Sequence, residues 1–234
     1  MIWPLLLLFL LCQPAVGLAQ EVSDDQQRFV SGSLLEDIGQ PPLGAAELQA
    51  VRPLLPVALN MIKEFEQWQP NAYNDPAGFC TIGYGHLISL NRCEQIALGR
   101  WARPLTEAEG IKLLNDDTAS ARLAIQRFVS VDLDNEEFGA LTSFVFNIGK
   151  GNFFRSTLLR LLNDERYELA EKEFARWIRS RGKVMRGLIV RRSCEATLFA
   201  GYLDYPNDQF NRNSCGVLGI ASDAGPSIDI ETGE

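Results

Sequence analysis

Residues 57–90 read VALNMIKEFEQWQPNAYNDPAGFCTIGYGHLISL, and the character of the chain changes halfway along. Val57, Met61, Ile62 and Phe65 stand at i, i+4, i+5 and i+8, the spacing of one apolar helix face, so a helix is expected to end close to Glu66. Pro70 stops it at the latest, because proline lacks the donor a helix interior needs. From Asn71 onward, NDPAG is a turn signal and FCTIGYG mixes β-formers with glycine, which predicts a short hairpin or small sheet.

Downstream the helical pattern resumes. Thr106 and Glu109 have capping-box spacing ahead of an amphipathic run. Phe138, Leu141, Val145 and Ile148 form an apolar stripe, and Gly149 is placed to stop it. Ser156 can cap a helix holding Leu158, Leu159, Leu161 and Leu162. Ala170, Phe174, Trp177 and Ile178 predict another helix before Gly182, and Leu188, Arg191, Glu195 and Leu198 share one face of a last one. The fold class is α+β, mainly α.

The flanks differ from this body. Met1–Gly17 holds an apolar run from Leu5 to Leu11, too short for the roughly 20 residues of a spanning helix. Small residues Gly17 and Ala19 suit cleavage near Ala19–Gln20, so residues 1–19 are expected to be a signal peptide; an uncleaved anchor is the alternative. Residues 20–50 should form a flexible leader, 51–202 the folded domain, and 203–234 a loosely ordered acidic tail. The mature protein is expected to be secreted or periplasmic, monomeric, and free of stable membrane association.

Beyond the signal segment remain Cys80, Cys93, Cys194 and Cys215, which in an exported chain usually pair. Three connectivities exist; Cys80–Cys93 and Cys194–Cys215 are preferred because each closes a short loop. No metal and no cofactor is expected, since His86 is the only histidine and no C-x2-C spacing occurs. Net charge is −8, yet residues 150–192 carry 12 basic against 5 acidic side chains, a local +7. Such a face suits a polyanionic ligand, or is simply a set of solvated helix faces.

Glu66, eight residues, Asp75, five residues and Thr81 form an ordered polar series across the helix end and hairpin. Glycosidic hydrolysis needs one protonated carboxyl and a second group that holds water or stabilises charge. Glu66, beside Phe65 and Trp68, is placed to be kept protonated by burial; Asp75 in the turn should be more solvated and ionised, and Thr81 could hold a water with it. Singly, each has an ordinary reading: a solvated helix-end charge, a turn cap and a strand threonine.

The whole stretch from Glu66 through His86 resembles the active-site segment of phage-type lysozymes, glycoside hydrolase family 24. The resemblance continues in ALTSFVFNIGKGNFFRSTLLRLLN (140–163) and GLIVRRSCEATLF (187–199), covering about residues 57–201. It implies a two-lobed fold, with a small β-bearing lobe and a helical lobe bridged by a long helix near 106–128. It implies Glu66 as general acid, with Asp75 and Thr81 positioning water in an inverting reaction, the carboxyls about 6.5–9.5 Å apart. Arg191 matches an arginine that pairs with the catalytic glutamate, the alternative being a surface pair with Glu195. Phe146 and Asn147 match a cleft-lining position, with core packing the alternative for Phe146. His86 is expected to be structural, with Asp117 as its partner. The implied substrate is peptidoglycan, cut at the β-1,4 bond between N-acetylmuramic acid and N-acetylglucosamine. Gln67 departs from the glycine usual after the glutamate. A bridge at Cys80, next to Thr81, would brace the hairpin and make activity redox-sensitive.

Three competing readings differ in chemistry. A silent wall-binding module would have lost Glu66, Asp75 or Thr81, and all three are present. A lytic transglycosylase needs no held water, so the Asp75–Thr81 pair argues against it. Against nucleic-acid binding, residues 150–192 do not interleave aromatic stacking platforms and the total charge is negative.

Overall fold

Pro56 opens α1 (Pro56–Glu66), where its fixed φ suits the first helical turn, and the buried stripe Val57, Ala58, Met61 and Ile62 carries the helix to Glu66 as expected. The computed structural model describes residues 51–216 and 225–234, with Gly32, Glu36 and Gly44 placed individually. The expected signal peptide and nearly all of the leader lie outside the described residues. Among the described residues, no helix is long and apolar enough to cross a membrane.

After α1 the chain forms an antiparallel sheet of β1 (Gln69–Asn74), β2 (Cys80–Gly83) and β3 (His86–Ser89), in that order. The helical body follows: α2 (Glu107–Asp117), α3 (Ala119–Phe128), α4 (Asn135–Ile148), α5 (Lys150–Arg155), α6 (Thr157–Asn163), α7 (Tyr167–Glu173) and α8 (Arg186–Phe199). The fold is α+β and mainly α. Central α4 packs against α8, α3, α1 and α5, and Phe138, Leu141, Phe144, Val145 and Ile148 are buried along it. It starts on a capping box between Asp134 and Glu137, and ends where Gly149 takes φ +87°. Gly139 lets α1 approach closely: a methyl group there would lie 2.6 Å from the Ala58 Cβ.

Local sequence signals explain several boundaries. The Thr106–Glu109 capping box opens α2, and the Ser156 hydroxyl accepts the Leu159 N–H to open α6. The single long helix expected near 106–128 is instead two segments meeting at Thr118, whose hydroxyl donates back to the Asn115 carbonyl at 3.1 Å. Such back-bonding competes with the helical ladder.

The helix expected over 170–178 is also cut short. α7 stops at Glu173, a 3-10 turn spans Phe174–Arg176, and a second hairpin joins β4 (Arg179–Ser180) to β5 (Lys183–Val184). Arg181 and Gly182 both take positive φ, 50° and 75°, the geometry of a two-residue hairpin turn matched to strand twist. An Arg-Gly pair disguises that turn, which usually reads Asn-Gly.

Residues 225–234, part of the tail for which loose order is expected, return to the body. Asp229 pairs with Arg179 and its carboxylate accepts the Gly182 N–H at 2.6 Å. Glu231 accepts the Ser180 hydroxyl at 2.9 Å, and the Ile230 carbonyl accepts the Asn152 amide at 2.8 Å. The tail acids thus meet part of the basic 150–192 segment. Near α5, the Glu36 carboxylate accepts the Lys150 and Gly151 N–H groups at 2.6 and 2.8 Å. Both preferred disulfides are present, Cys80–Cys93 and Cys194–Cys215.

Candidate active site

Glu66 ends α1, and the chain leaves through Gln67 at φ +56° and ψ 151°. Side-chain-bearing residues rarely occupy that region, at a cost of about 1–3 kcal/mol. The glycine usual at this point in the family it resembles would take the conformation without that strain. Gln67→Gly is therefore expected to raise stability by about 1 kcal/mol after glycine's own entropic cost of roughly 0.5–1 kcal/mol. Urea unfolding of the two proteins would check this, and a destabilised variant would show that the turn is not strained.

The sheet is carried back over the helix end. Gly83 and Gly85 take φ +69° and +82° in the IGYGH segment, and Gly85 lies so close that a Cβ would stand 3.7 Å from Glu66 Oε2. Trp68 lies across the ring of Tyr84, centroids 5.0 Å apart, and against Gly110 of α2, where any side chain would overlap its ring. His86 Nδ1 sits 3.0 Å from both Asp117 carboxylate oxygens. Helix end, sheet and α2 are thereby fixed together.

In the hairpin, Tyr73 pairs with Thr81 and Asn74 with Cys80. By the two-residue period of strands, Asp75 and Thr81 share one face while Asn74 and Cys80 take the other. Thr81 is almost fully buried and its hydroxyl donates to the Tyr73 carbonyl at 3.4 Å. Asp75 is 5% exposed against 8% for Glu66, so the expectation of a more solvated Asp75 is corrected: the turn folds over it. Its Oδ1 accepts the Phe79 N–H at 2.7 Å, while buried Oδ2 has no hydrogen-bond partner among the described residues. On the opposite face, Asn74 accepts the Cys93 N–H at 2.7 Å and donates to Glu94 at 2.8 Å, backing the Cys80–Cys93 bridge.

Arg191 on α8 reaches Glu66, donating from Nη1 to Oε1 at 2.8 Å. It also donates from Nε to Glu195 Oε1 at 3.1 Å and from Nη2 to the Ser143 carbonyl at 3.2 Å. The alternative of a surface Arg191–Glu195 pair is corrected, since both residues are buried. Burial pushes the Glu66 carboxyl above the usual carboxylate range, and the facing Arg191 opposes but does not cancel that rise.

Phe146 is buried in the core beside α8, so the cleft-lining expectation gives way to packing. Asn147, one residue on, is half-buried and accepts from Arg192 Nη2 at 2.9 Å. Ser143 and Arg192 join this cluster without a sequence expectation, and Glu195, expected only as a surface partner, is buried within it. Three ionic residues within about one turn of the last helix, 191, 192 and 195, followed by the apolar Leu198 and Phe199, were the available signal. They also show that the local +7 is partly internal, because Arg191 and Arg192 are both buried.

The phage lysozyme family model matches residues 63–195, more than half of the chain. The chain is 38% identical over 144 residues to an endolysin of Bacillus phage B103, covering 60% of this chain and 51% of that relative. It spans about half the length of the Bacillus phage endolysins it matches. Among solved structures it is similar to a mutant P22 lysozyme, with 32% identity and TM-score 0.55 over 64% of this chain and 99% of the other. The muramidase domain of SpmX from Asticaccaulis excentricus is similar at 33% identity and TM-score 0.53, over 61% of this chain and 93% of that domain.

Proposed function

Because this chain belongs to the phage lysozyme family, we propose that it is an exported muramidase that hydrolyses the β-1,4 bond between N-acetylmuramic acid and N-acetylglucosamine in peptidoglycan. The observation that carries this reading is the environment of Glu66. It is a buried carboxyl raised above its usual range, with Oε1 held by Arg191 and Oε2 beside Gly85. A carboxyl kept protonated near neutral pH can donate to the leaving glycosidic oxygen.

Asp75 and Thr81 supply the second half of the chemistry. A buried carboxylate oxygen with no hydrogen-bond partner among the described residues, on the same hairpin face as a threonine hydroxyl, suits a water held for attack on the sugar. With that water on the side opposite the acid, the anomeric configuration inverts. Wall strands would lie between the β-bearing part and the helical body, with His86 and Asp117 holding the sheet in register.

The test is digestion of purified peptidoglycan by the oxidised protein, with fragments analysed by mass spectrometry and Glu66→Gln as control. Reducing-end muropeptides from the wild type alone support the assignment. Anhydro-ended fragments would make it a transglycosylase, and binding without fragments a wall-binding module.

The disulfide gives a further expected result. Opening Cys80–Cys93 frees the loop behind the hairpin and loosens the face carrying Asp75 and Thr81, so activity should fall severalfold on reduction. Unchanged activity, with mass spectrometry confirming free thiols at Cys80 and Cys93, would show that the bridge does not govern the site.

A further inference from the structure

Arg191 faces two carboxylates. Nη1 is 2.8 Å from Glu66 Oε1 and Nε is 3.1 Å from Glu195 Oε1. Glu195 is wholly buried, and all of its hydrogen bonds among the described residues fall on Oε1. The Ser143 hydroxyl of α4 donates to Oε1 at 2.6 Å, Arg192 Nη2 donates to the same oxygen at 3.0 Å, and Arg192 Nε lies 2.7 Å from Oε2. From α4, the Phe144 ring covers the Arg192 guanidinium at 4.9 Å and Asn147 accepts from it. The charged groups acting on Glu66 are therefore Arg191, Arg192 and Glu195, all from α8.

This arrangement poses a problem for an acid catalyst. Arg191 against the carboxyl, with Arg192 acting in the same direction, works against the proton that burial favours, because an opposite charge within about 4–6 Å favours the ionised form by roughly 1–3 pH units. We propose that Glu195 is a positioning residue for proton donation by Glu66, dividing Arg191 between two carboxylates and compensating Arg192. The proposal rests on the reading of Glu66 as general acid. Arg191 then orients Glu66 through a single directed hydrogen bond, while its charge is largely answered elsewhere. The Ser143 hydroxyl donates to Glu195, which links the central helix to the acid without touching substrate.

Replacing Glu195 by Gln leaves a hydrogen-bonding side chain of the same shape but removes the compensating charge. The pH at which Glu66 loses its proton should fall by about one unit or more. Two readouts follow: the basic limb of the pH–rate profile, and the carboxyl carbon titration of Glu66 by NMR, identified by its disappearance in Glu66→Gln. The expected result is that both move to lower pH together, with activity retained on the acid side and lost near neutral. The double variant Arg192→Gln/Glu195→Gln, which restores the charge balance, should bring both back toward the wild-type position. A merely structural role would lower activity evenly across pH without moving either curve, and that outcome overturns the proposal.

If Glu195→Gln does not fold, Ser143→Ala weakens the hold on Glu195 and should move both curves the same way by a smaller amount; no movement overturns the proposal equally. Full activity in Glu66→Gln would instead bring down the general-acid reading, and a normal Glu66 titration in an active Glu195→Gln protein would bring down this inference alone.

Discussion

Glu66→Gln is expected to reduce peptidoglycan cleavage by about 10²–10⁴-fold, the usual contribution of a general acid, while leaving the fold intact. Glutamine fills the same volume and can still accept from Arg191 Nη1, so the 2.8 Å contact has a replacement. What disappears is the transferable proton. In the wild type, activity should decline as pH rises through the Glu66 carboxyl's value, which burial sets above the ordinary one of about 4.3. Stability follows the same group. A carboxyl whose folded value is raised stabilises the native state below its unfolded value and loses that contribution as pH rises through the folded value. The wild type should therefore lose stability relative to Glu66→Gln between about pH 4.3 and the folded value of Glu66. Thermal unfolding of both proteins across this range would check it. Parallel curves would mean that Glu66 is not raised, and substantial residual cleavage would mean that another group gives the proton.

The sequence made some parts legible for physical reasons that differ from element to element. The end of α1 could be read because four apolar residues repeat with the helical period up to Glu66 and proline follows. The capping box at Thr106 could be read because its two side chains satisfy backbone donors at fixed spacing. Both are local, and locality is what a sequence displays directly. The break at Thr118 was hidden because a threonine in a helix either points outward or bonds back, and only its neighbours decide. The hairpin at 179–184 was hidden because Trp177 and Ile178 continue a helical stripe by coincidence while Arg181 and Gly182 turn the chain. In the candidate site, resemblance pointed to Glu66, Asp75, Thr81 and Arg191, while the expected exposure differs from the observed burial for Asp75 and Glu195. Their burial depends on elements distant in sequence, the hairpin turn in one case and α4 in the other.

Arg192→Ala is expected to cost about 3–5 kcal/mol, the loss typical when one partner is removed from a buried ionic network. Arg192 is fully buried, and burial pulls its guanidinium down to about 10 against the hold of Glu195, so it is charged at neutral pH. Its removal leaves Glu195 Oε2 without its 2.7 Å ionic neighbour and Asn147 Oδ1 without its donor, and opens a void under the Phe144 ring. The desolvation of Glu195 has already been incurred and is then answered only at Oε1, by Arg191 and Ser143. In a domain with about 5–15 kcal/mol of total stability, a loss of that size should lower Tm by roughly 6–20 °C. Arg192→Lys keeps the charge but cannot reach Glu195 and Asn147 together in the planar geometry of arginine, so it should fall between wild type and Arg192→Ala. Urea and thermal unfolding of the three proteins under oxidising conditions provide the measurement. A cost below about 1 kcal/mol for Arg192→Ala would mean that water enters and solvates Glu195, and the buried network would then not be what joins α8 to α4.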